Sequence, residues 1–591
     1  MMKETNVIPI NELPHWFTQK AESRLQFLYG DNDIHQLMER LINKLHPFLS
    51  LSINKNINHT DEIWNEQDVI LITYGDTVSQ TEELPLQTLY EFLTLHLQDS
   101  INSIHILPYF PYSSDDGFAV IDYKTVDPNL GEWADIERMS RDFYLMTDLV
   151  INHVSRENLW FIDFLSRVEP GCNYFTEMPA DTDVSMVVRP RSSPVLVPAH
   201  THDGIHHVWA TFGEDQIDVN FANPDVLFEF IDIILLYISK GSRFIRLDAI
   251  AFLWKKLGTR CINLRETHEV VKLLRDIVDV VAPGTVIITE TNVPNGENLS
   301  YFGNSDEAHM VYQFTMPPLL LHALYHGNSQ YLSQWAKDIT RPQKNCTYLN
   351  FIASHDGIGL RPAEGILPEQ EVLSLVDGMH EYGGYVSMRT DQLGKESPYE
   401  INIALFDAFK GTQQGVDDYQ VQRFLCAHTI MIALQGIPAI YFHSITATSN
   451  DYQGVEQTGR TRSINRRKWQ YDELLALLNN PSSSNAAIFH ELKRLLKIRR
   501  KQAAFHPEAL QETIALGDEI FAFWRMSTDL EQRILVICNL TNKTQILAVP
   551  EHPLIEGSGI WRDLIERTAL SHNTTEIKLY PYQCVWLEAL A

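Results

Sequence analysis

Eight short apolar runs recur between residues 69 and 442, and helical or irregular segments separate them. Apolar runs of this length, bounded by polar segments, are typical of buried strands in a parallel sheet. Eight strands that alternate with helices are the number that a (β/α)8 TIM barrel requires, so the sequence predicts an α/β fold of this type. The predicted strands are Val69–Tyr74, Ile104–Leu107, Tyr144–Ile151, Phe244–Ala249, Val286–Thr289, Val311–Phe314, Tyr348–Ala353 and Ile437–Phe442.

The segments around these runs divide the 591 residues into further predicted units. Residues 66–504 form the predicted catalytic barrel, and residues 1–65 form a helical region packed on it. Two connections are too long for simple barrel loops, 155–221 after strand three and 358–422 after strand seven. Long loops at the carboxyl ends of barrel strands usually build substrate sites, so both are predicted to be inserted domains. Alternating strand patterns at 505–591 predict a C-terminal all-β domain.

The charge balance argues against two classes of partner. The chain has 76 acidic and 47 basic residues, and its formal charge of −29 repels nucleic acid and anionic membranes. No apolar segment before the fourth strand is long enough to cross a bilayer, and the N-terminus lacks a signal core, so a cytoplasmic location is expected. The six cysteines are scattered without paired spacing, and neither a metal site nor a disulfide framework is predicted.

The fourth predicted strand carries two charges on one face. Arg246 and Asp248 are two residues apart, so their side chains project to the same side of the strand. A carboxylate beside a guanidinium stays ionised at neutral pH, which suits a nucleophile. An ordinary buried ion pair would give the same pattern.

Polar side chains also follow other predicted strands at their ends. His153 follows the third strand, Glu290 the fifth, and His355 and Asp356 the seventh. In a barrel these ends share one rim, and three carboxylates there are hard to explain by packing because buried unpaired charges are costly. An apolar neighbourhood would raise the pKa of Glu290 and keep it protonated. An ionised Asp248 and a protonated Glu290 are the pair that retaining glycoside chemistry needs.

Five motifs resemble the conserved regions of the α-amylase superfamily, glycoside hydrolase family thirteen. They are DLVINH (148–153), QIDVN (216–220), FIRLDA (244–249), ITETN (288–292) and ASHD (353–356). The resemblance implies that Asp248 is the nucleophile, Glu290 the general acid/base and Asp356 the carboxylate that stabilises the distorted sugar. It also implies that Arg246 and His153 hold the nucleophile and the sugar, with His355 beside Asp356.

Longer segments resemble the sucrose phosphorylase branch of that family. They are HILPYFPYSSDDGFAVIDY (105–123), VVRPRSSP (187–194), RLDAIAFLWKKLGTRC (246–261), PPLLLHAL (317–324), SHDGIGL (354–360) and SINRR (463–467). The resemblance implies that Asp115, Phe118 and Arg466 line a pocket that closes over one glucosyl unit. It also implies that Arg191 binds phosphate, for which a solvated loop arginine is the alternative. The expected substrates are a small glucoside and inorganic phosphate, the expected product is α-glucose 1-phosphate, and no cofactor or metal is expected.

The acceptor is less constrained. Segments 289–314, 397–402 and 450–467 resemble glucosylglycerate and glucosylglycerol phosphorylases. Tyr399 and Glu400 stand where a sucrose phosphorylase carries Tyr-Gln, which argues against fructose. Glycerate would need a cation, such as Arg389 or Lys395, and Glu400 would repel it. Glucosylglycerol is therefore the predicted substrate, with glucosylglycerate next and sucrose or sucrose 6-phosphate after it.

Other classes of function remain to be weighed. Non-catalytic barrels of this superfamily lose the catalytic carboxylates, but Asp248, Glu290 and Asp356 are all present. The sequence therefore predicts an enzyme, a glycosyltransferase-type phosphorylase. A hydrolase or transglucosidase with the same residues stays an open alternative, and so does a homodimer.

Overall fold

The fold is a closed barrel of eight parallel strands, each paired with the next along the chain and the last with the first. The computed structural model describes residues 13–54, 63–190, 193–390, 396–548, 560–570 and 576–590. The predicted barrel is confirmed. Its strands are Ile70–Thr73, Ser103–Ile106, Tyr144–Val150, Ser242–Asp248, Val286–Thr289, Met310–Tyr312, Thr347–Asn350 and Ile437–Tyr441.

Amphipathic helices cover the barrel. The helix Arg265–Val281 is an example, because Val270, Leu274, Ile277 and Val281 repeat at helical spacing and are all buried. The principal helices of the barrel region are Pro85–His96, Trp133–Asp142, Pro224–Ser239, Arg265–Val281, Met316–His326, Gln330–Asp338, Gln420–Ala433, Tyr471–Leu478 and Ser484–Arg499.

Two N-terminal helices, His15–Tyr29 and Ile34–Asn54, lie against this outer layer. Arg24 joins the first of them to Arg265–Val281 by donating to Asp276 at 2.7 Å and to Glu269 at 3.0 Å. Buried ion pairs of this kind fix the position of one helix on another.

Two long connections stand at the carboxyl ends of the strands. The connection after strand three contains the helix Leu159–Ser166 and a three-stranded sheet, and that after strand seven contains the helix Glu369–Glu381 and a second three-stranded sheet. The strands of the first sheet are Glu177–Met178, Leu196–Thr201 and Gly204–Trp209, and those of the second are Ile358–Gly359, Tyr385–Thr390 and Glu396–Asn402.

The predicted all-β character of the C-terminal region is confirmed. Six of its strands form one sheet, and two more form a separate pair. The six are Leu510–Ile514, Ile520–Met526, Arg533–Asn539, Ile560–Asp563, Ala569–Leu570 and Cys584–Leu590, and the pair is Gln545–Ala548 with Glu576–Leu579.

Two buried arginines satisfy the last carbonyl groups of the barrel helix Gln420–Ala433. Arg499 donates from Nε to the carbonyl of Ile432 at 2.7 Å, and Arg525 of the C-terminal sheet donates from Nη1 to that of Ala433 at 2.7 Å. Helix ends leave their last carbonyls unpaired, and cations stabilise them there. The C-terminal sheet therefore completes an element of the barrel.

Among the residues that the structure describes, no helix combines the length and the apolar content that crossing a membrane requires.

Candidate active site

A deep cavity opens at the carboxyl ends of the barrel strands. Most of the predicted site residues line it, although they are far apart in sequence. The predicted residues in its lining are Asp115, Phe118, His153, Asp248, Glu290, His355, Asp356, Tyr399 and Glu400. Arg191 lies outside the described residues, but its neighbour Pro190 lines the cavity.

Arg246 lies buried beneath the cavity and contacts two carboxylates. Its Nη1 donates to Asp248 Oδ1 at 2.8 Å and also to Asp148, which in turn accepts from His105 Nε2 at 2.6 Å. The guanidinium is therefore shared between Asp248, which it was expected to hold, and Asp148. Asp148, at the end of strand three, fixes the arginine from the other side.

The protonation of Asp248 and Glu290 depends on burial and on each other. Burial raises the pKa of Asp248 well above its ordinary value against the opposing charge of Arg246, and the charge of Glu290 adds to the increase. Burial likewise raises the pKa of Glu290. Two interacting acids lose their protons one after the other. The hydrogen bond from Arg246 to Asp248 favours the negative charge on Asp248 and the proton on Glu290 when the pair holds one proton.

A backbone N–H group of the neighbouring strand end holds the side chain of Glu290, which follows strand five. The N–H of Ala249 donates to Glu290 Oε2 at 3.3 Å. Ala249 adopts the left-handed backbone conformation, with φ of 53°, directly after Asp248. This turn positions the two carboxyl groups on adjacent strands.

Asp356 is ionised. Burial by itself would raise its pKa, but the charge of Arg462 holds that pKa well below the usual range. Arg462 Nη1 donates to Asp356 Oδ1 at 2.5 Å. His355 Nε2 lies 3.5 Å from Asp356 Oδ2, and burial lowers the pKa of His355 to about 3, so its ring is neutral at pH 7.

Aromatic and amide groups build one wall. The rings of Phe118 and His355 stack with centroids 5.0 Å apart and planes at 5°. His153 donates from Nε2 to the carbonyl of Phe118 at 2.9 Å. Gln216 donates to Asp115 Oδ2 at 3.2 Å, and both residues line the cavity.

Arg466 lies behind the cavity rather than in its lining. It donates from Nε to the carbonyl of His355 at 2.8 Å and pairs with Asp116, and its Nη2 is 3.9 Å from Asp356 Oδ1. Its implied role in closing the pocket over one glucosyl unit stays a prediction. Arg466 supports the turn that carries His355 and Asp356.

Glu400 is buried with a relative exposure of 1% and has a cationic partner. Arg462 donates to both of its oxygens, from Nε at 2.9 Å and from Nη2 at 2.6 Å. This bidentate pair offsets the charge of Glu400, which weakens the repulsion that Glu400 was expected to exert on an anionic acceptor. The role of Arg462 was missed, although the segment GRTRSINRR places three further arginines beside Arg466.

Arg361 is a second cation that the sequence analysis missed. It lines the cavity, is 7% exposed, and among the described residues it has no carboxylate partner, while its Nε has no hydrogen-bond partner. The signal in the sequence was a cation five residues after Asp356. The cation predicted there, Arg389, instead pairs with Glu364 and donates to Ser397 Oγ at 3.1 Å, and Lys395 lies outside the described residues.

Comparisons with known proteins identify the family of the chain. Residues 97–358 match the family described as alpha amylase, catalytic domain. The chain is 40% identical to the glucosylglycerate phosphorylase of Escherichia coli K12, over 96% of this chain and 100% of that protein. It is 30% identical to the glucosylglycerol phosphorylase of Marinobacter adhaerens, over 74% of this chain and 88% of that protein.

A solved structure shares the fold. The crystal structure of sucrose 6F-phosphate phosphorylase from Thermoanaerobacter thermosaccharolyticum has a TM-score of 0.71 and 22% identity, and covers 87% of this chain and 98% of that one. The chain therefore belongs to glycoside hydrolase family thirteen, the α-amylase family, and is a phosphorylase-type enzyme of the branch that includes the glucosylglycerate, glucosylglycerol and sucrose phosphorylases.

Proposed function

We propose that this chain is a glucosylglycerate phosphorylase. It would transfer the glucosyl group of glucosylglycerate to inorganic phosphate with retention, and release glycerate and α-glucose 1-phosphate. The observation that carries the proposal is the 40% identity over the whole length of the Escherichia coli glucosylglycerate phosphorylase, against 30% over a shorter span for a glucosylglycerol phosphorylase. The proposed acceptor is therefore glycerate and not glycerol, which the sequence analysis favoured.

The charges in the cavity support an anionic acceptor. The one argument against glycerate was the charge of Glu400, and Arg462 offsets that charge through two hydrogen bonds. Arg361 supplies a cation in the cavity lining, and its Nε has no hydrogen-bond partner among the described residues. A guanidinium binds a carboxylate or phosphate through a planar fork, so Arg361 suits the carboxylate of glycerate.

The proposed reaction proceeds by two displacements. Asp248 attacks the anomeric carbon while Glu290 gives its proton to the departing oxygen of glycerate, and a covalent β-glucosyl ester forms. Phosphate then attacks the same carbon, the ester bond breaks, and Glu290 takes back a proton from the phosphate. Asp356 and His355 would hold the glucosyl ring. The two carboxyl groups supply nucleophile and acid, so the proposed chemistry has phosphate as co-substrate and needs no cofactor.

The test is phosphate release from α-glucose 1-phosphate in parallel reactions with glycerate, glycerol, fructose or no acceptor. Release with glycerate at least about tenfold faster than with the others is expected, since a charge-assisted hydrogen bond contributes about 1.5–3 kcal/mol. Faster release with glycerol would favour a glucosylglycerol phosphorylase and overturn the assignment. Equal release without any acceptor would show a hydrolase.

A further inference from the structure

Outside the active site, two histidines and a glutamate converge between two helices. His322 and His326 lie on the helix Met316–His326, and Glu371 lies in the first turn of the helix Glu369–Glu381. Residues four apart on a helix share one face, and the two imidazole centroids are 4.4 Å apart. We call these three residues the His–His–Glu cluster.

The donor atoms of the cluster have the spacing of a metal site. Glu371 Oε2 lies 2.9 Å from His322 Nε2 and 3.5 Å from His326 Nε2, and one ligand atom from each residue lies within 4.8 Å of the others. Zinc bonds to nitrogen and oxygen are about 2.0–2.1 Å long, so tetrahedral ligands stand about 3.3 Å apart. The two measured separations bracket that distance.

The tautomer of His326 also fits a metal ligand. Its Nδ1 lies 3.1 Å from the side-chain oxygen of Gln413. An amide oxygen only accepts, so Nδ1 carries the proton and Nε2 keeps a free lone pair. His326 Nε2 is buried and has no hydrogen-bond partner among the described residues. Histidine ligands of metals characteristically donate their other N–H to such an acceptor.

The two histidines of the cluster are buried or nearly so, and the glutamate faces solvent. The side chain of His322 is 3% exposed and that of His326 is 12% exposed, whereas that of Glu371 is 37% exposed. Tyr331 contacts His322 edge to face, with ring centroids 5.4 Å apart. His322 Nε2 donates to Glu371 Oε2 at 2.9 Å, so an ion that binds between them would displace that proton. An ion can enter from the Glu371 side, where Gln413 already orients His326.

We propose that His322, His326 and Glu371 bind one divalent transition-metal ion, zinc by their ligand chemistry, with water as the fourth ligand. The sequence analysis predicted no metal, because the glutamate lies 45 to 49 residues beyond the histidines. The ion would join a barrel helix to the connection that follows strand seven. That connection also carries Arg361 in the cavity, so the ion would brace the acceptor side of the site.

The test begins with the full-length protein stripped by a chelator and returned to zinc. One equivalent of zinc per chain, measured by elemental analysis after gel filtration, and a higher thermal unfolding temperature are expected, since a ligand that binds only the native state stabilises it. With Co2+ in place of zinc, the visible absorption bands of a tetrahedral site are expected. Failure of the wild-type protein to retain stoichiometric zinc would overturn the proposal.

Two substitutions test whether the ion binds at the His–His–Glu cluster. Glu371→Gln and His326→Gln are partly exposed changes that should fold, and each should weaken zinc affinity at least about tenfold and abolish the Co2+ bands. Glu369→Gln, in the same helical turn, is the matched control and should bind as the wild type does. Unchanged affinity and unchanged Co2+ bands in Glu371→Gln would equally overturn the proposal. Neither readout depends on the identity of the sugar acceptor, so this test is separate from that of the proposed function.

Discussion

Arg462 donates two hydrogen bonds to Glu400, one to each carboxylate oxygen, at 2.9 and 2.6 Å. The same guanidinium donates to Asp356 at 2.5 Å. One cation is therefore shared between a carboxylate of the acceptor loop and a carboxylate expected to hold the glucosyl unit. The two halves of the cavity are electrostatically linked through it.

The Arg462→Met variant should lose more activity and stability than the double variant that also carries Glu400→Gln. The single variant leaves Glu400 buried without its cationic partner and removes one cation from the partly buried Asp356. Breaking a buried pair costs about 3–5 kcal/mol, and kcat/KM should fall at least about a hundredfold. Adding Glu400→Gln removes one of the unpaired charges, so the double variant should recover part of the loss. Kinetics and thermal unfolding of both single variants and the double variant measure this coupling. Strictly additive effects would contradict the linkage.

Arg361→Met should weaken binding of glycerate. Loss of a charge-assisted hydrogen bond of about 1.5–3 kcal/mol predicts a rise in the KM for glycerate of about 10- to 150-fold in the synthetic direction. Arg389→Met is the control, because Arg389 is engaged by Glu364 and should change that KM little. A rise in the KM for phosphate alone would assign Arg361 to the phosphate instead.

Asp248→Asn should abolish turnover and leave the fold intact. The amide cannot form the glucosyl ester, while its shape keeps the contact with Arg246. Circular dichroism and thermal unfolding close to those of the wild type would show that folding is unaffected. Full activity in this variant would rule out Asp248 as the nucleophile.

Glu290 should set the alkaline limb of the pH profile. Its pKa is raised by burial, so the acid stays protonated above the usual range of a glutamate and loses its proton as the pH rises through the raised pKa. kcat/KM should fall there, because the carboxylate has no proton to donate. Glu290→Gln should lower kcat by about 10²- to 10⁴-fold and remove the alkaline limb. The same limb in the variant would assign it to another group.

Gly357→Ala should disturb the site through packing. A Cβ at this position would lie 2.6 Å from Glu400 Cγ and 2.6 Å from the carbonyl of Ile401. Overpacking of this kind costs about 1–3 kcal/mol, so both the unfolding temperature and kcat/KM should fall. Gly296→Ala is the matched control, because a Cβ there meets no atom within 4 Å. Equal effects of the two substitutions would contradict the packing argument.

The local sequence pattern was enough to predict the barrel. Each strand is a self-contained apolar run, and the helix Arg265–Val281 carries its own stripe of apolar residues. The pattern was also enough to place Asp248, Glu290 and Asp356 at strand ends that meet on one rim. It could not give the partner of Glu400, since Arg462 is 62 residues away along the chain. The charge that an acceptor meets depends on such distant pairs, and this is why the preference for glycerol over glycerate was wrongly weighted.

The contact between Arg525 and Ala433 has a consequence for synthesis on the ribosome. The carbonyl of Ala433 belongs to a barrel helix, but its partner Arg525 is translated 92 residues later. The barrel residues therefore leave the ribosome before the C-terminal sheet supplies the arginine that bonds to this helix end. A truncated or stalled chain that lacks this sheet should be a substrate for chaperones and proteases rather than a smaller active enzyme.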